Sequence, residues 1–231
     1  MSDLAVGVSG LSKRYLHHLP RYRTLVGRLR AGMEGGKAVM PVWALQDVSF
    51  EVARGECLGV IGPNGSGKST LLGLLGGILE PTSGEIRVTG RINTFFNLGA
   101  GMQPELSVRD NVEICGVLMG LRRREVLKRM DAILDFSEVA SLAEVRMAEL
   151  SSGQSARVTF ATAVHSDLDL LLVDEALAVG DRAFQEKCRE VFLRLRREGK
   201  TLIVVSHDET LLGAMATRTL RLREGRVESY A

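Results

Sequence analysis

GPNGSGKST, at residues 62–70, fits the phosphate-binding pattern G-x-x-x-x-G-K-[ST]. An apolar run at 57–61 precedes it, and an apolar, helix-like run at 71–79 follows it. This is the strand–loop–helix context in which the pattern binds phosphate, and it favours that interpretation over an ordinary glycine-rich turn. The predicted phosphate-binding residues are Gly62, Pro63, Asn64, Gly65, Ser66, Gly67, Lys68, Ser69 and Thr70.

The residue types of this loop indicate its chemistry. Glycines allow several backbone N–H groups to converge on one phosphate, and the helix that opens at Ser69 adds the positive end of its dipole. Lys68 supplies a positive charge for the β- and γ-phosphates, and the Ser69 hydroxyl can ligate Mg²⁺. The sequence therefore predicts a nucleoside triphosphate site.

Composition sets broad limits. The chain has 231 residues, of which 45% are hydrophobic, enough for one large domain or a core with a subdomain. The net charge of +2 gives no argument for nucleic acid, and the three cysteines form no C-x-x-C pair, which predicts buried free thiols. We see no signal-peptide pattern and no apolar run near the roughly 20 residues that span a bilayer, so we expect a soluble or peripheral protein.

The first part of the chain reads as strands interrupted by an insertion. Apolar patterning predicts strands at 5–8, ending near Tyr15, at 45–52 and at 85–89. Between the first two, residues 16–42 are basic and glycine-containing, and the spacing of Leu25, Val26 and Leu29 is compatible with a short helix. The insertion is either a solvated loop or an element that docks on a partner or a membrane surface.

A mostly helical insert is predicted from about residue 97 to 165. Helices are expected at 108–121 and 124–136, and a further helix-like run at 156–165. The apolar stripe of the second helix comprises Val126, Leu127, Met130, Ile133 and Leu134.

The last third of the chain returns to strand-rich patterning. Buried strands are predicted at 168–173 and 201–205, and a hairpin at 218–227 around Glu224-Gly225. Asp181 is expected to cap the helix between the two strands.

Two carboxylates follow the apolar strand LLLV at 170–173. Asp174 can hold Mg²⁺, and Glu175 can polarise a water molecule for in-line attack. Both would lie at the carboxyl edge of the sheet, where open α/β sheets bind ligands. Many strands end in acids, so the assignment depends on the phosphate loop upstream.

Two further motifs are weaker alone. LSSGQ at 150–154 precedes a helix-like run, where it could be an anion site or an ordinary helix cap. His207 follows the strand at 201–205 and would reach the same sheet edge as Asp174, which favours contact with the γ-phosphate over a structural role.

Taken in order, GPNGSGKST, LSSGQ, LLLVDE and His207 resemble the ATPase subunits of ABC transporters over essentially the whole chain. The resemblance implies an α/β fold: a P-loop ABC-ATPase core with an antiparallel β subdomain and an inserted α-helical subdomain, as one nucleotide-binding domain over 1–231. It also implies ATP and Mg²⁺ as cofactors and a head-to-tail dimer with a second copy of the chain. The catalytic residues would be Glu175 and His207.

In that dimer, each ATP would lie between one subunit's phosphate loop and the other's signature, LSSGQ. Ser151 and Gly153 would touch the γ-phosphate in trans, and Gln154 would support the turn. Ser152 departs from the common LSGGQ and adds a Cβ where the loop must stay tight.

A finer similarity is to the ATPase subunits of polysaccharide exporters, which move O-antigen, capsule or teichoic acid. The segments that carry it are 95–112 and 174–188, together with Trp43 to Phe50 after the early insertion. Ala178 to Asp181 matches the inter-subunit loop, with Asp181 as its acid. The resemblance implies polytopic permease subunits as partners, no nucleic acid, and a peripheral position on the cytoplasmic face of the inner membrane.

Two assignments stay open. The family's Mg²⁺-ligating Gln corresponds to Asn97, one methylene shorter, or less well by spacing to Gln103. The aromatic that stacks on adenine is either Tyr15 or Trp43, and each could instead be a packing aromatic.

The alternatives to a transporter subunit are a soluble ABC ATPase of nucleic acid or ribosomes and a P-loop kinase or GTPase. The first usually has paired domains or long coiled coils, and the second leaves LSSGQ and His207 without a role.

Overall fold

The computed structural model describes residues 3–18, 39–95, 101–174, 181–206, 212–213 and 215–231. The strands are β1 (Leu4–His18), β2 (Val39–Ala53), β3 (Cys57–Ile61), β4 (Ser83–Val88), β5 (Ile92–Phe95), β6 (Leu170–Asp174), β7 (Thr201–Val205), β8 (Arg218–Arg223) and β9 (Arg226–Tyr230). The helices are α1 (Lys68–Leu75), α2 (Val108–Leu118), α3 (Arg123–Ser137), α4 (Ser152–Val164) and α5 (Arg182–Arg197).

The strands form two sheets. One has the order β5-β6-β7-β3-β8-β9 and is parallel except for β9, which pairs antiparallel with β8. The other is an antiparallel sheet of order β2-β1-β4. The helices α2, α3 and α4 pack on one another. This confirms the predicted α/β core with an antiparallel β subdomain and an inserted helical part.

Three apolar clusters hold these layers together. The first joins α1 to both sheets through residues such as Leu72, Val48 and Val60. The second covers the other face of the parallel sheet, where α5 contributes Phe184 and Phe192. The third fills the space between α2, α3 and α4. Helices or the second sheet cover both faces of the parallel sheet. This explains why the sequences of β3, β6 and β7 are continuously apolar.

The strands β1 and β2 run further than their apolar alternation predicts. They pair as a two-stranded ribbon out to His18 and Val39, so residues 16–18 and 39–42 of the predicted insertion are in strands. The side chains near the ribbon's end are exposed, 57% for Leu16 and 54% for Met40. Because these side chains are exposed rather than packed on a core of the described residues, their sequence does not alternate between apolar and polar residues, and the alternation could not predict this part of the strands. The short helix expected around Leu25–Leu29 lies outside the described residues.

Other predicted elements need local correction. The helix expected to run to Leu79 ends at Leu75, because Gly76 and Gly77 follow and Gly77 has a left-handed φ of 69°. The helices predicted at 108–121 and 124–136 are confirmed as α2 and α3, but Leu127 of the apolar stripe is 45% exposed. The strand β5 was not predicted from the sequence.

Candidate functional site

The phosphate loop leaves the middle of the parallel sheet. Its strand, β3, lies between β7 and β8, and α1 begins at Lys68. Gly67 has φ 104°, and a Cβ there would lie 2.5 Å from the carbonyl oxygen of Ala44 on β2. A Cβ on Gly62 would collide with the carbonyl of Leu222 on β8. The glycines are therefore needed for close approach to neighbouring backbone as well as for the turn.

Lys68 and Ser69 are already held at this loop. Lys68 is buried, with 7% of the residue exposed, and its ammonium donates to the carbonyls of Gly62 at 2.8 Å and Pro63 at 3.1 Å. The Ser69 hydroxyl, exposed at the mouth of the loop, donates to Oδ2 of Asp174 at 2.9 Å. The structure thus brings together the phosphate loop and the first of the two predicted carboxylates.

A turn near the end of the chain supports the loop from behind. Gly225, between β8 and β9, donates its N–H to the Ser66 carbonyl at 3.2 Å and accepts from the N–H of Gln46 on β2 at 2.7 Å. With φ 75°, a Cβ on Gly225 would lie 2.7 Å from the Ala44 carbonyl oxygen. The hairpin was predicted from Glu224-Gly225, but its contact with the phosphate loop was not, because no spacing links residues so distant in the chain.

Asp174 ends β6 beside the end of β7, where it pairs with Val205. The residues Glu175 and His207, predicted to be catalytic, lie outside the described residues, as does Asn97. Gln103 is described and exposed: Asn111, which is fully buried, accepts from the Gln103 N–H at 2.6 Å and donates to its carbonyl at 2.9 Å. Asn111 also donates to two later carbonyls of this loop, so it fixes the loop's course, a role that sequence reasoning missed.

The signature LSSGQ forms the start of α4. The Ser151 hydroxyl accepts from the Gln154 N–H at 3.2 Å, and the Gln154 side-chain oxygen accepts from the Ser151 N–H at 2.9 Å, a reciprocal capping box. Gln154 thus caps the first turn of α4 together with Ser151. Ser152 is the first helical residue, and it is not among the described residues with positive φ, so its Cβ is accommodated without backbone strain. Around Gly153, a Cβ would meet only the Ser151 hydroxyl, at 4.0 Å.

Asp181 caps α5, as predicted, because its Oδ1 accepts the Phe184 N–H at 3.0 Å. That bond, together with the guanidinium of Arg157 on α4, lowers the pKa of Asp181. Arg157 also pairs with Glu138 at the end of α3. Neither Arg157 nor Glu138 was identified from the sequence, since no motif marks an ion pair between separate helices.

The two candidate adenine-stacking aromatics lie on opposite faces of the β1–β2 ribbon. Trp43 pairs with Arg14, whose guanidinium lies 5.5 Å from the indole, and it is 42% exposed. Tyr15 pairs with Val42 and lies under the Lys13 ammonium at 5.4 Å. Because neighbouring pairs of a strand face opposite sides, only one of these rings can stack on a base held at the phosphate loop.

The fold and this site define a P-loop nucleotide-binding protein in which the signature, LSSGQ, begins a helix separate from the phosphate loop. The family model described as "ABC transporter" matches residues 45–178, more than half of the chain. The chain therefore belongs to the ABC transporter family, which is a family of ATPases.

Several curated proteins are similar to the chain. The O-antigen export system ATP-binding protein RfbB of Myxococcus xanthus is 43% identical over 72% of this chain and 38% of its own length. RfbB of Klebsiella pneumoniae is 40% identical, over 78% and 76%. The teichoic acids export ATP-binding protein TagH of Lactococcus lactis is 38% identical, over 81% and 40%. The chain thus spans well under half the length of two of these relatives.

Solved structures give the same fold. A dimeric ATP-binding cassette, MJ0796, in a post-hydrolysis state bound to ADP and Pi, matches with a TM-score of 0.77 at 25% identity, over 98% of this chain and 97% of that one.

Within the ranges that the structure describes, no helix is both long and apolar enough to cross a membrane.

Proposed function

We propose that this chain is the ATP-hydrolysing subunit of an ABC transporter that exports a lipid-linked polysaccharide. The observation that carries the ATPase assignment is the Ser69–Asp174 hydrogen bond at the mouth of the phosphate loop. The export assignment is supported by relatives named for O-antigen export. Export of teichoic acid is the second candidate substrate, favoured by the similarity to TagH.

The residues at the loop suit ATP with Mg²⁺. The Ser69 hydroxyl and the Asp174 carboxylate, 2.9 Å apart, are hard oxygen donors of the kind that Mg²⁺ prefers. Bound there, Mg²⁺ would neutralise charge on the phosphates. Lys68, which now donates to two loop carbonyls, would donate to phosphate oxygens, and Asn97 is the proposed further ligand.

Hydrolysis would be completed by the residues that follow β6 and β7. Glu175 would accept a hydrogen bond from the attacking water as that water adds to the γ-phosphorus and the bond to ADP breaks. His207 would stabilise the γ-phosphate. Glu175→Gln is expected to bind ATP and to stop turnover, and wild-type turnover in that variant would overturn the assignment.

We also propose that the working form is a head-to-tail dimer, in which Ser151 and Gly153 reach the partner's ATP. The arrangement is supported by the described geometry, because the signature begins a helix separate from the phosphate loop and has room at Gly153. The whole chain would act as one nucleotide-binding unit, with 97–165 carrying the signature and 16–42 as an insertion.

Mixing two inactive variants tests the dimer. Lys68→Met removes the phosphate-loop charge, and Gly153→Asp adds a side chain to the signature at a position where, among the described residues, a Cβ would meet only the Ser151 hydroxyl, at 4.0 Å. Each alone should be inactive, whereas a mixed dimer holds one intact composite site. Equal mixing should restore up to about one quarter of wild-type ATPase activity, since half of the dimers are mixed. Inactivity of the mixture at concentrations where wild type is active would refute the shared site.

The transporter context gives a separate test. The chain would lie at the cytoplasmic face of the membrane, bound to polytopic permease subunits. The exposed apolar residues Leu16 and Met40 at the ribbon end are suited to such a contact. Deleting residues 19–36 should impair transport, while the isolated chain keeps its ATPase activity. Unchanged transport would show that the insertion does not dock.

A further inference from the structure

A hydroxyl inside the phosphate loop differs from the other buried polar groups. Ser66 is 2% exposed, and its Oγ is the one buried side-chain nitrogen or oxygen of the described residues that lacks a hydrogen-bond partner. By contrast, Ser137, which is also a buried serine, donates its hydroxyl to the Leu134 carbonyl at 2.9 Å. Because buried polar groups are nearly always paired, an unpaired one is a cost to the folded chain that calls for an explanation.

The backbone of Ser66 holds this hydroxyl behind the loop. The Ser66 N–H donates to the Pro63 carbonyl at 3.2 Å, and the Ser66 carbonyl accepts from the Gly225 N–H at 3.2 Å. A Cβ on Gly62 would lie 2.7 Å from the Ser66 Oγ, so the hydroxyl faces the Gly62 backbone. Since both backbone groups are bound, the hydroxyl can change its partner by rotation about the Cα–Cβ bond while the loop keeps its course.

The carbonyls next to this hydroxyl are bound by Lys68. The Lys68 ammonium donates to the carbonyls of Gly62 at 2.8 Å and Pro63 at 3.1 Å. The Pro63 carbonyl also accepts from the Ser66 N–H, which uses both of its lone pairs. A charged donor forms a stronger hydrogen bond than a hydroxyl does. Lys68 therefore holds the Gly62 carbonyl, which is the acceptor one covalent bond away from the Cα that Ser66 faces.

We propose that Ser66 is a positioning residue whose hydroxyl takes over the Gly62 carbonyl when Lys68 turns to a nucleotide phosphate. The inference rests on the proposed function, in which Lys68 donates to phosphate oxygens. As Lys68 turns, the Gly62 carbonyl loses a donor and the Ser66 hydroxyl gains an acceptor, so one new hydrogen bond satisfies two buried groups. The Ser66 side chain thereby favours the phosphate-bound loop without itself touching the nucleotide.

The test compares Ser66→Ala with a matched control, Ser137→Ala, each made in the wild-type chain and in a Lys68→Met chain. Both substitutions remove one buried serine hydroxyl, but only that of Ser137 has a partner among the described residues. Methionine keeps the apolar length of Lys68 and lacks its ammonium. The Tm of every full-length variant is measured without nucleotide. Binding of a fluorescent ATP analogue is measured at low protein concentration for the variants that keep Lys68.

With Lys68 present, Ser66→Ala should raise the Tm by about 2–6 °C, because it removes an unpaired buried hydroxyl. In the Lys68→Met chain the Gly62 carbonyl can accept from Ser66, so the same substitution should lower the Tm by about 2–4 °C. Ser66→Ala should also weaken analogue binding about fivefold, the equivalent of one hydrogen bond. Ser137→Ala should lower the Tm in both chains and leave analogue binding within about twofold of wild type.

The sign of the Tm change decides the inference. A fall in Tm for Ser66→Ala with Lys68 present would show that the hydroxyl is already bound. Equal Tm changes with and without Lys68 would show that its acceptor does not depend on Lys68, as would hold for the nearby Leu222 carbonyl. Either result, or unchanged analogue affinity in Ser66→Ala, would overturn the inference and leave the ATPase assignment intact. Failure of the wild type to bind nucleotide would instead overturn the proposed function, and the inference that rests on it.

Discussion

Replacing Gly225 with alanine should loosen the phosphate loop from a point that is far away in the sequence. Gly225 has φ 75°, and a Cβ there would lie 2.7 Å from the Ala44 carbonyl oxygen and 3.2 Å from the Cα of Leu45. Neither is a flexible side-chain end, so the turn itself must move. Gly199 is a matched control, since it has φ 73° and no described atom within 4 Å of the position that a Cβ would take.

The two substitutions share the backbone strain and differ in the clash. A side chain in the left-handed region costs about 1–2 kcal/mol, the whole expected loss for Gly199→Ala. Forcing an extra methyl into a packed site costs about 1–3 kcal/mol more, which gives about 2–5 kcal/mol for Gly225→Ala. For a domain of this size, 1 kcal/mol lowers the Tm by about 2–4 °C. Gly199→Ala should therefore lose about 2–8 °C, and Gly225→Ala about 4–20 °C.

Nucleotide affinity separates a local effect from a general one. Moving the turn lengthens the bond from the Gly225 N–H to the Ser66 carbonyl, and a hydrogen bond of about 1 kcal/mol corresponds to about fivefold in affinity. The Tm is measured by calorimetry, and binding of a fluorescent ATP analogue is measured at a temperature below both transitions. Gly225→Ala should weaken binding about fivefold, whereas Gly199→Ala should not change it. Equal Tm losses, or unchanged affinity in Gly225→Ala, would refute the reasoning.

Two further predictions concern buried groups. Burial raises the pKa of Glu56, but hydrogen bonds from Arg218 and a backbone N–H outweigh this effect and hold that pKa below 4.5. The ionised Glu56 therefore stabilises the folded chain above pH 4.5. This stabilisation is lost as the pH falls through the folded-state pKa. Glu56→Gln should lower the free energy of unfolding in urea at pH 7 by about 1–3 kcal/mol and flatten its acid dependence, and identical acid slopes would contradict the assignment. Burial raises the pKa of Cys57 to about 11, that of Cys188 to about 12, and that of Cys115 as well, so a thiol reagent at pH 8 should react no faster than the chain unfolds.

Local patterns predicted the parts of the site that are contiguous in the chain. The Gly67-Lys68-Ser69 step, the cap at Asp181 and the hairpin at Gly225 each depend on residues a few positions apart, whose backbone requirements are visible in the sequence. The expectation for Ser152 came instead from comparison with the common LSGGQ. It treated the residue as part of a tight loop, whereas α4 begins there and an ordinary helical φ accepts the Cβ.

Contacts between distant segments could not be predicted in this way, and they are what hold the site in shape. The Ala44 carbonyl limits the space at both Gly67 and Gly225, so one strand of the antiparallel sheet fixes the phosphate loop and the turn behind it. Arg157 likewise joins α4 to Glu138 at the end of α3 and to Asp181 at the start of α5. In each case a residue of unremarkable type acts through a partner that the fold brings close, and neither spacing nor residue type marks it. The motifs therefore identify which groups could touch ATP, whereas the accuracy of their placement depends on residues outside every motif.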